Sequence, residues 1–225
     1  MGAVLAMKIG AAFALLAAAP LAGCGTQSDG KQYWEMAKAL MAQARGDGQA
    51  VDLRGSLTPE VVAQADRAVL ITRFPTRSNA QILFTRETRN GDAVSWLSPS
   101  LELMVLERGL LSQTRGTGGD LMSADLAEVH VAIAGRAGEA VRIHRYLDGE
   151  NHTVADSFVC DYARQFDTVS AYFRQIPATR IDETCAGAEY IFENQYWSDG
   201  SGRIVRSVQW VSEALGYVEI ERLSD

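Results

Sequence analysis

The spacing of apolar positions changes twice along the chain, and each change predicts a different kind of element. Residues 9–19 form an apolar run of about 11 residues, which is short for a membrane-spanning helix of about 20 residues. Apolar residues then recur at helical spacing over residues 31–45, and a cap followed by a proline predicts a second, short helix over residues 58–65. From Ala68 onward, apolar and polar positions alternate between turn-forming residues, which predicts strands.

The predicted strands fall into two groups separated by a short helix. The first group comprises residues 68–74, 81–86, 93–97, 101–106 and 110–115, and the second comprises residues 139–147, 153–161, 180–185, 188–197, 203–210 and 215–223. Between them, the glycine-rich residues 116–119 break the pattern and Ser123 is predicted to cap a helix over residues 124–134. The predicted fold is mainly β, with one large antiparallel meander sheet curved into a half-barrel or sandwich. A few short helices are expected near the N-terminus and one between the strand groups.

The apolar run near the start of the chain ends at a lipobox. Residues 21–24 read Leu-Ala-Gly-Cys, and Lys8 supplies the positive flank of a signal peptide. The predicted organisation is a lipoprotein signal peptide at residues 1–23, a polar tether at residues 24–30 and a single β-rich periplasmic domain at residues 31–225. The true start stays open between Met1 and Met7. An ordinary signal peptide with a free cysteine nearby is the alternative interpretation.

Cys24 is expected to become the first residue of the mature chain and to carry lipid. Its thiol would take a diacylglycerol group and its amine an acyl chain such as palmitate, and several acyl chains together hold a protein firmly on a membrane. Gly25 favours the outer membrane, because an aspartate there would favour retention at the inner membrane. The expected location is therefore the bacterial envelope, at the outer membrane and facing the periplasm, with the membrane itself as one partner.

The remaining cysteines and the charge limit the function further. Cys160 and Cys185 are predicted to form one disulfide in an oxidising compartment, with two separate buried thiols or a metal site as the alternatives. Removing residues 1–23 removes one lysine and leaves 20 basic against 28 acidic residues, a net charge of −8. Nucleic-acid binding needs a basic face, and the sequence has no basic cluster, so nucleic acid is excluded as a partner.

No catalytic residue, cofactor or metal ligand is predicted. The chain lacks a Gly-x-Ser-x-Gly nucleophile elbow and a P-loop. Its histidines, His130, His144 and His152, are isolated, although the last two could approach each other across one hairpin. Glu189 and Glu193 lie among aromatic residues and could form the carboxylate pair of a glycosidase, but ordinary sheet packing explains that pattern better.

Several motifs identify a resemblance that composition alone does not. Aromatic-rich residues 192–197 lead through a glycine turn to Ser-x-Gln-Trp at residues 207–210 and Leu-Gly-Tyr at residues 215–217. Residues 114–121 follow the pattern Thr-x-Gly-x-Gly-x-Asp-Leu. Together these segments resemble the YjbF-type lipoproteins, the family that includes the group 4 capsule lipoprotein GfcB. One departure is Glu213, where a proline is expected.

The resemblance implies a non-enzymatic accessory lipoprotein in exopolysaccharide or capsule production or export. Its partners would be polysaccharide or other proteins of exopolysaccharide assembly. An aromatic and arginine-bearing strand is the proposed ligand or partner surface, made of Tyr196, Trp197, Arg203, Arg206, Gln209 and Trp210. Two alternatives stay open: a half-barrel carrier that binds an acyl chain or lipid-linked intermediate in its concavity, and, with less support, a glycan-active enzyme.

Overall fold

The computed structural model describes residues 52–225. Three short helices lie in this part of the chain: α1 (Leu53–Ser56), α2 (Pro59–Val62) and α3 (Ala127–Ile133). The strands are β1 (Val69–Phe74), β2 (Ala80–Asn90), β3 (Ala93–Leu97), β4 (Leu103–Glu107), β5 (Leu110–Arg115), β6 (Ser123–Asp125), β7 (Glu139–Leu147), β8 (Thr153–Ala171), β9 (Arg174–Ala186), β10 (Ile191–Ser198), β11 (Ile204–Ser212) and β12 (Gly216–Arg222). The predicted signal peptide, Cys24, the tether and the helix over residues 31–45 lie outside the described residues.

The strands of residues 52–225 form one antiparallel sheet of 12 strands in the order β5-β4-β3-β2-β1-β12-β11-β10-β9-β8-β7-β6. The sheet curves until its two end strands come close together, so it nearly closes into a barrel. At this seam the Thr114 amide donates to the carbonyl oxygen of Leu121 at 2.9 Å. The prediction of a mainly β meander is confirmed, and each strand predicted from the sequence has a counterpart.

The N-terminal helices cover the outer face of β1 and β2. Thr58 caps α2 as predicted, because its hydroxyl oxygen accepts a hydrogen bond from the Val61 amide at 3.4 Å. The buried side chains of Leu53 and Val62 belong to one apolar cluster with Leu83 of β2. Helix α2 ends earlier than the predicted boundary at residue 65.

The prediction that Ser123 caps a helix is wrong. Residues Ser123–Asp125 form β6 and pair with β7, with Ala124 opposite His144. The short strand covers the edge of β7, which would otherwise leave unpaired backbone groups. Helix α3 begins only at Ala127, whose amide donates to the Asp125 carboxylate at 3.2 Å.

Strands β8 and β9 form a hairpin much longer than the sequence predicted. They turn at Tyr172 and Phe173, which have φ angles of 50° and 58°. A two-residue turn of this kind normally uses Asn or Gly, so its usual signal is missing. The tip is held by other parts of the fold: the Tyr172 amide donates to the Arg222 carbonyl oxygen at 2.9 Å, and the Arg54 guanidinium lies 4.4 Å from the Phe173 ring centre.

Strand β7 presents its polar residues to the barrel interior and its apolar residues to solvent. Arg142 and His144 are 2% and 0% exposed, whereas Val141 and Leu147 are 41% and 45% exposed. This is the reverse of the usual arrangement of a half-buried strand. It places a set of polar side chains inside the barrel.

Candidate functional site

A buried ion pair occupies the interior between β7 and β9. Arg142 and Glu183 approach to 3.0 Å, and their side chains are 2% and 0% exposed. The Nη2 atom of Arg142 donates to both carboxylate oxygens, and its Nε atom donates to one of them. Burial raises the pKa of Glu183, but the charge of Arg142 and the surrounding hydrogen bonds outweigh it, so the pKa lies below its usual value.

Three neutral side chains complete the shell of this carboxylate. The Tyr162 and Tyr196 hydroxyls donate to Glu183 at 2.7 Å each, and the Asn194 amide donates at 2.6 Å. Burial raises the pKa of both tyrosines, which keeps them protonated as donors. A buried ion pair needs this degree of hydrogen bonding to offset the loss of water around both charges.

The interior network continues to the surface through two residues of β7. Arg142 lies 3.5 Å from Nε2 of His144, and Nδ1 of His144 lies 3.0 Å from the hydroxyl of Tyr146. That hydroxyl donates its proton to the Val211 carbonyl oxygen at 2.8 Å, so its oxygen accepts a hydrogen bond from Nδ1–H of His144. Nε2 of His144 then carries no proton and accepts from Arg142. Burial and the charge of Arg142 hold the pKa of His144 well below its ordinary value, so the ring is neutral.

Tyr146 also lines an open cleft of about 950 Å³ at one end of the barrel. The cleft lies between the β5–β6 loop, the β7–β8 hairpin, the β9–β10 loop and the β11–β12 loop. Its size falls within the range of small-molecule and oligosaccharide-sized sites, about 300 to 1,000 Å³. Tyr190 forms a second aromatic wall, and its hydroxyl donates to the Asp156 carboxylate at 3.1 Å.

An aromatic cluster supports the Tyr190 wall from behind. The Tyr190 ring centre lies 5.3 Å from that of Phe158 and 5.7 Å from that of Trp210. Trp210 in turn stacks on Phe192 at 5.7 Å and meets the Tyr217 ring edge-on at 5.2 Å. Aromatic contacts of this geometry are favourable beyond simple area burial, so the wall is held in place by its neighbours.

The glycine-rich segment at residues 114–121 builds the floor of the cleft. The Asp120 carboxylate accepts hydrogen bonds from the Thr114 hydroxyl, the Gly116 amide and both the amide and hydroxyl of Thr117. Burial raises the pKa of Asp120, but these donors together lower it below its usual value. The family-like motif therefore shapes a loop, and Asp120 is largely occupied in holding it.

The six residues proposed from the sequence do not share one exposed surface. Tyr196 and Gln209 are buried inside the barrel, where Gln209 accepts from the Leu111 amide at 2.7 Å and donates to the Gly109 carbonyl oxygen at 3.0 Å. Tyr196 of β10 contacts Arg142 of β7, and Gln209 of β11 contacts Leu111 of β5, so each residue connects strands that are not neighbours in the sheet. Their geometry is that of structural residues.

The other four lie in different places. Trp197 donates its indole N–H to Asp167 at 2.7 Å, Arg203 pairs with Asp225 near the β10–β11 turn, and Arg206 lies 3.9 Å from Glu219. Of the six, Trp210 reaches the cleft, through its contact with Tyr190. The residues that line the cleft come from strand ends, such as Arg115 of β5 and Tyr146 of β7, and from the adjoining loops, and these segments carry no shared sequence signal.

Cys160 and Cys185 form a disulfide between directly paired positions of β8 and β9. Within residues 52–225, one group of three potential metal ligands comes together, and it consists of these two sulfurs and Glu183. The sulfurs are bonded to each other and the carboxylate is engaged by Arg142, so these atoms do not form a ligand set. His144 is buried and His152 lies on an exposed turn, so the two do not pair.

The two glutamates of the enzyme alternative also separate. Glu189 lines the cleft, whereas Glu193 lies on the exposed face of β10 and is not part of the cleft wall. Glu193 alternates with the buried Phe192 and Asn194, as ordinary sheet packing predicts. The structure therefore does not bring these carboxylates to opposite sides of one substrate site.

The sequence comparisons place this geometry in a family. A family model described as group 4 capsule polysaccharide lipoprotein gfcB, YjbF matches residues 39–223. The chain belongs to the YjbF family. The resemblance predicted from the motifs is confirmed, and the match spans the sheet from β1 to β12 and all four loops of the cleft.

One solved structure supports the fold. The hypothetical lipoprotein YmcC from Escherichia coli (K12) is 16% identical with a TM-score of 0.64, and the alignment covers 84% of this chain and 96% of that one. At this identity the likeness shows the fold alone. A putative lipoprotein from Parabacteroides distasonis ATCC 8503 aligns at 8% identity and a TM-score of 0.26, over 72% of this chain and 95% of that one. None of the curated proteins compared with the chain matches it.

Proposed function

We propose that this chain is an outer-membrane-anchored periplasmic lipoprotein that acts as a non-enzymatic accessory in capsule or exopolysaccharide production or export. Its family is one of capsule polysaccharide lipoproteins. The lipobox at Cys24 supports anchoring through lipid, and no helix within residues 52–225 has the length and apolar character to span a membrane. The accessory role would be played by the folded domain on the periplasmic side.

The observation that carries the proposal is the cleft at the end of the barrel. Sugars present hydroxyl groups around their edges and apolar C–H groups on their ring faces, so they suit a site with both aromatic and polar walls. Tyr146 and Tyr190 supply rings, and Asp156 and Glu189 supply acceptors. We infer that a segment of polysaccharide binds here, while the Arg142–Glu183 network keeps the supporting strands in register.

The interior does not favour the carrier alternative. The space that an acyl chain would need is occupied by large buried side chains, including Trp96, Arg142 and Tyr196. The cleft itself has carboxylates among its lining residues, which a hydrocarbon chain would have to desolvate at a cost. A polar polymer is the better match to these walls.

The test is surface polysaccharide in cells that lack the protein. We expect a lower amount at the surface, restored by the wild-type chain but not by Tyr190→Ala. Phe166→Ala is the matched aromatic control, because Phe166 is 97% exposed on the β8–β9 hairpin and does not line the cleft. Normal surface polysaccharide in the deletion strain would contradict the proposal. Cys24→Ser tests the anchor separately, since it should release the domain from the membrane fraction.

A further inference from the structure

The side chains that line the cleft carry more negative than positive charge. Arg115 is the one arginine among the cleft-lining residues of the described chain, against four carboxylates. Its guanidinium is directed to backbone oxygens, with hydrogen bonds to Leu121 at 3.0 Å and Met122 at 3.1 Å. It is therefore already committed to the β5–β6 loop.

The carboxylates divide into two that are engaged and two that are not. Asp120 holds the β5–β6 loop, and Asp156 accepts from Tyr190. Glu189 and Glu213 are exposed, and within residues 52–225 neither side chain has a hydrogen-bond or ion-pair partner. These two groups stand on different loops, after β9 and after β11, so they flank the cleft with unsatisfied negative charge.

Such a cleft favours hydroxyl and ammonium donors and disfavours anions. An ionised carboxylate only accepts hydrogen bonds, so it pairs with sugar hydroxyls or amines and repels a uronate. The tyrosine rings add to this preference, since aromatic faces attract cations and not anions. Among the residues that the structure describes, the wall has no uncommitted cation that could neutralise an acidic sugar.

We propose that the cleft binds non-acidic saccharide segments, with affinity that rises when the sugar carries a free amine and falls when it carries a carboxylate. The inference rests on the proposed function and names the substrate class of the same site. It also departs from the arginine-bearing strand predicted from the sequence, which would suit an acidic polymer.

The experiment compares three tetrasaccharides of equal length by calorimetry on the purified protein: glucosamine, N-acetylglucosamine and galacturonate tetramers. We expect affinity in that order, with the glucosamine preference weakened by salt because exposed charges are screened. Galacturonate binding as tight as the other two would overturn the inference. Absence of binding to all three would overturn it as well, yet leave the cellular test of the accessory role unaffected.

One double variant and one control variant test whether the two exposed carboxylates of the cleft cause the sugar preference. In the double variant Glu189→Gln, Glu213→Gln, the ratio of glucosamine to galacturonate affinity should fall by roughly twofold to fivefold for each carboxylate removed. Glu193→Gln is the matched control for each single carboxylate, since it removes one negative charge from an exposed position outside the cleft. A fall in Glu193→Gln equal to the fall per carboxylate in the double variant would show that net charge, and not the cleft, sets the preference. Thermal unfolding of each variant verifies that its fold is intact.

Discussion

Arg142 and Glu183 lie on strands separated by β8, yet their side chains meet inside the barrel at 3.0 Å. Tyr196 of β10 contacts both of them, since its hydroxyl receives a hydrogen bond from Arg142 and donates one to Glu183. One charge pair therefore links β7, β9 and β10. The same strands lead into the loops that form the cleft, so the ion pair positions the site without lining it.

Breaking this pair should destabilise the domain strongly. Glu183→Gln leaves the Arg142 guanidinium buried without a counter-charge, and removal of one partner of a buried pair costs about 3–5 kcal/mol. The double variant Arg142→Met, Glu183→Gln should cost less than the sum of the two single variants, because no isolated charge remains. Urea denaturation of the four proteins measures this coupling.

An exposed ion pair provides the control for the Arg142 and Glu183 variants. Arg108 and Asp92 are each 59% exposed, and solvent screens their interaction. Asp92→Asn should leave the denaturation midpoint close to that of the wild type. If Glu183→Gln behaved in the same way, the buried network would not be a determinant of stability.

The disulfide should add a separate contribution. Cys160 and Cys185 close a loop with a sequence separation of 25, for which the chain-entropy model gives about 3.5 kcal/mol. Cys160→Ala, Cys185→Ala should lower the free energy of unfolding by about this amount. Wild-type protein unfolded in the presence of a reductant should approach the variant, and equal midpoints with and without reductant would contradict the prediction.

The sequence predicts the strands well because each strand carries its own signal. Alternation is a local property, so β1 to β5 and β7 could be located from a few residues each. The local sequence does not determine which face of β7 points into the barrel. Arg142 finds its partners Glu183 and Tyr196 41 and 54 positions away, and without them burial of an arginine would be unfavourable.

The cleft was harder to predict than the sheet for the same reason. Its walls come from four loops and the strand ends beside them, and only the antiparallel order of the strands brings these segments to one end of the barrel. The motif at residues 114–121 did mark one of these loops, but its Asp120 shapes the loop and is not free to bind. Tyr190 has no sequence signal that distinguishes it from other surface residues, and Glu213 is distinguished only as a departure from the proline expected in the family.

Stability should fall as the pH drops below about 6.5, through His144. Burial and Arg142 hold the pKa of this histidine well below its ordinary value, so the folded protein stays unprotonated where the unfolded chain binds a proton. Its contribution to stability is present above pH 6.5 and is lost progressively as the pH falls from about 7.5 to 5.5, because only the unfolded chain takes up the proton in that range. His130, whose pKa burial also lowers, acts in the same direction.

His144→Asn should flatten this dependence while the contribution of His130 remains. Denaturation midpoints at several pH values between 5.5 and 7.5 provide the measurement. His152→Asn serves as the control, because that side chain is 72% exposed. A wild-type slope that survives unchanged in His144→Asn would show that the buried histidine is not its source.

Gly119 and Gly118 allow the packing of the cleft floor to be tested independently of backbone strain. Both have positive φ angles, 81° and 82°, so an alanine at either position should cost about 1–2 kcal/mol through its backbone conformation. At Gly118 an added Cβ meets nothing within 4 Å, whereas at Gly119 it would lie 2.8 Å from Ala214 Cβ and Ser212 Oγ. Ser212 also donates to the Gly119 carbonyl oxygen at 2.6 Å, which joins the β5–β6 and β11–β12 loops. Gly119→Ala should therefore destabilise the domain more than Gly118→Ala and weaken binding of the glucosamine tetramer, because the loop that carries Glu213 must shift. Equal unfolding free energies and equal affinities in the two variants would show that contact between these loops does not shape the cleft.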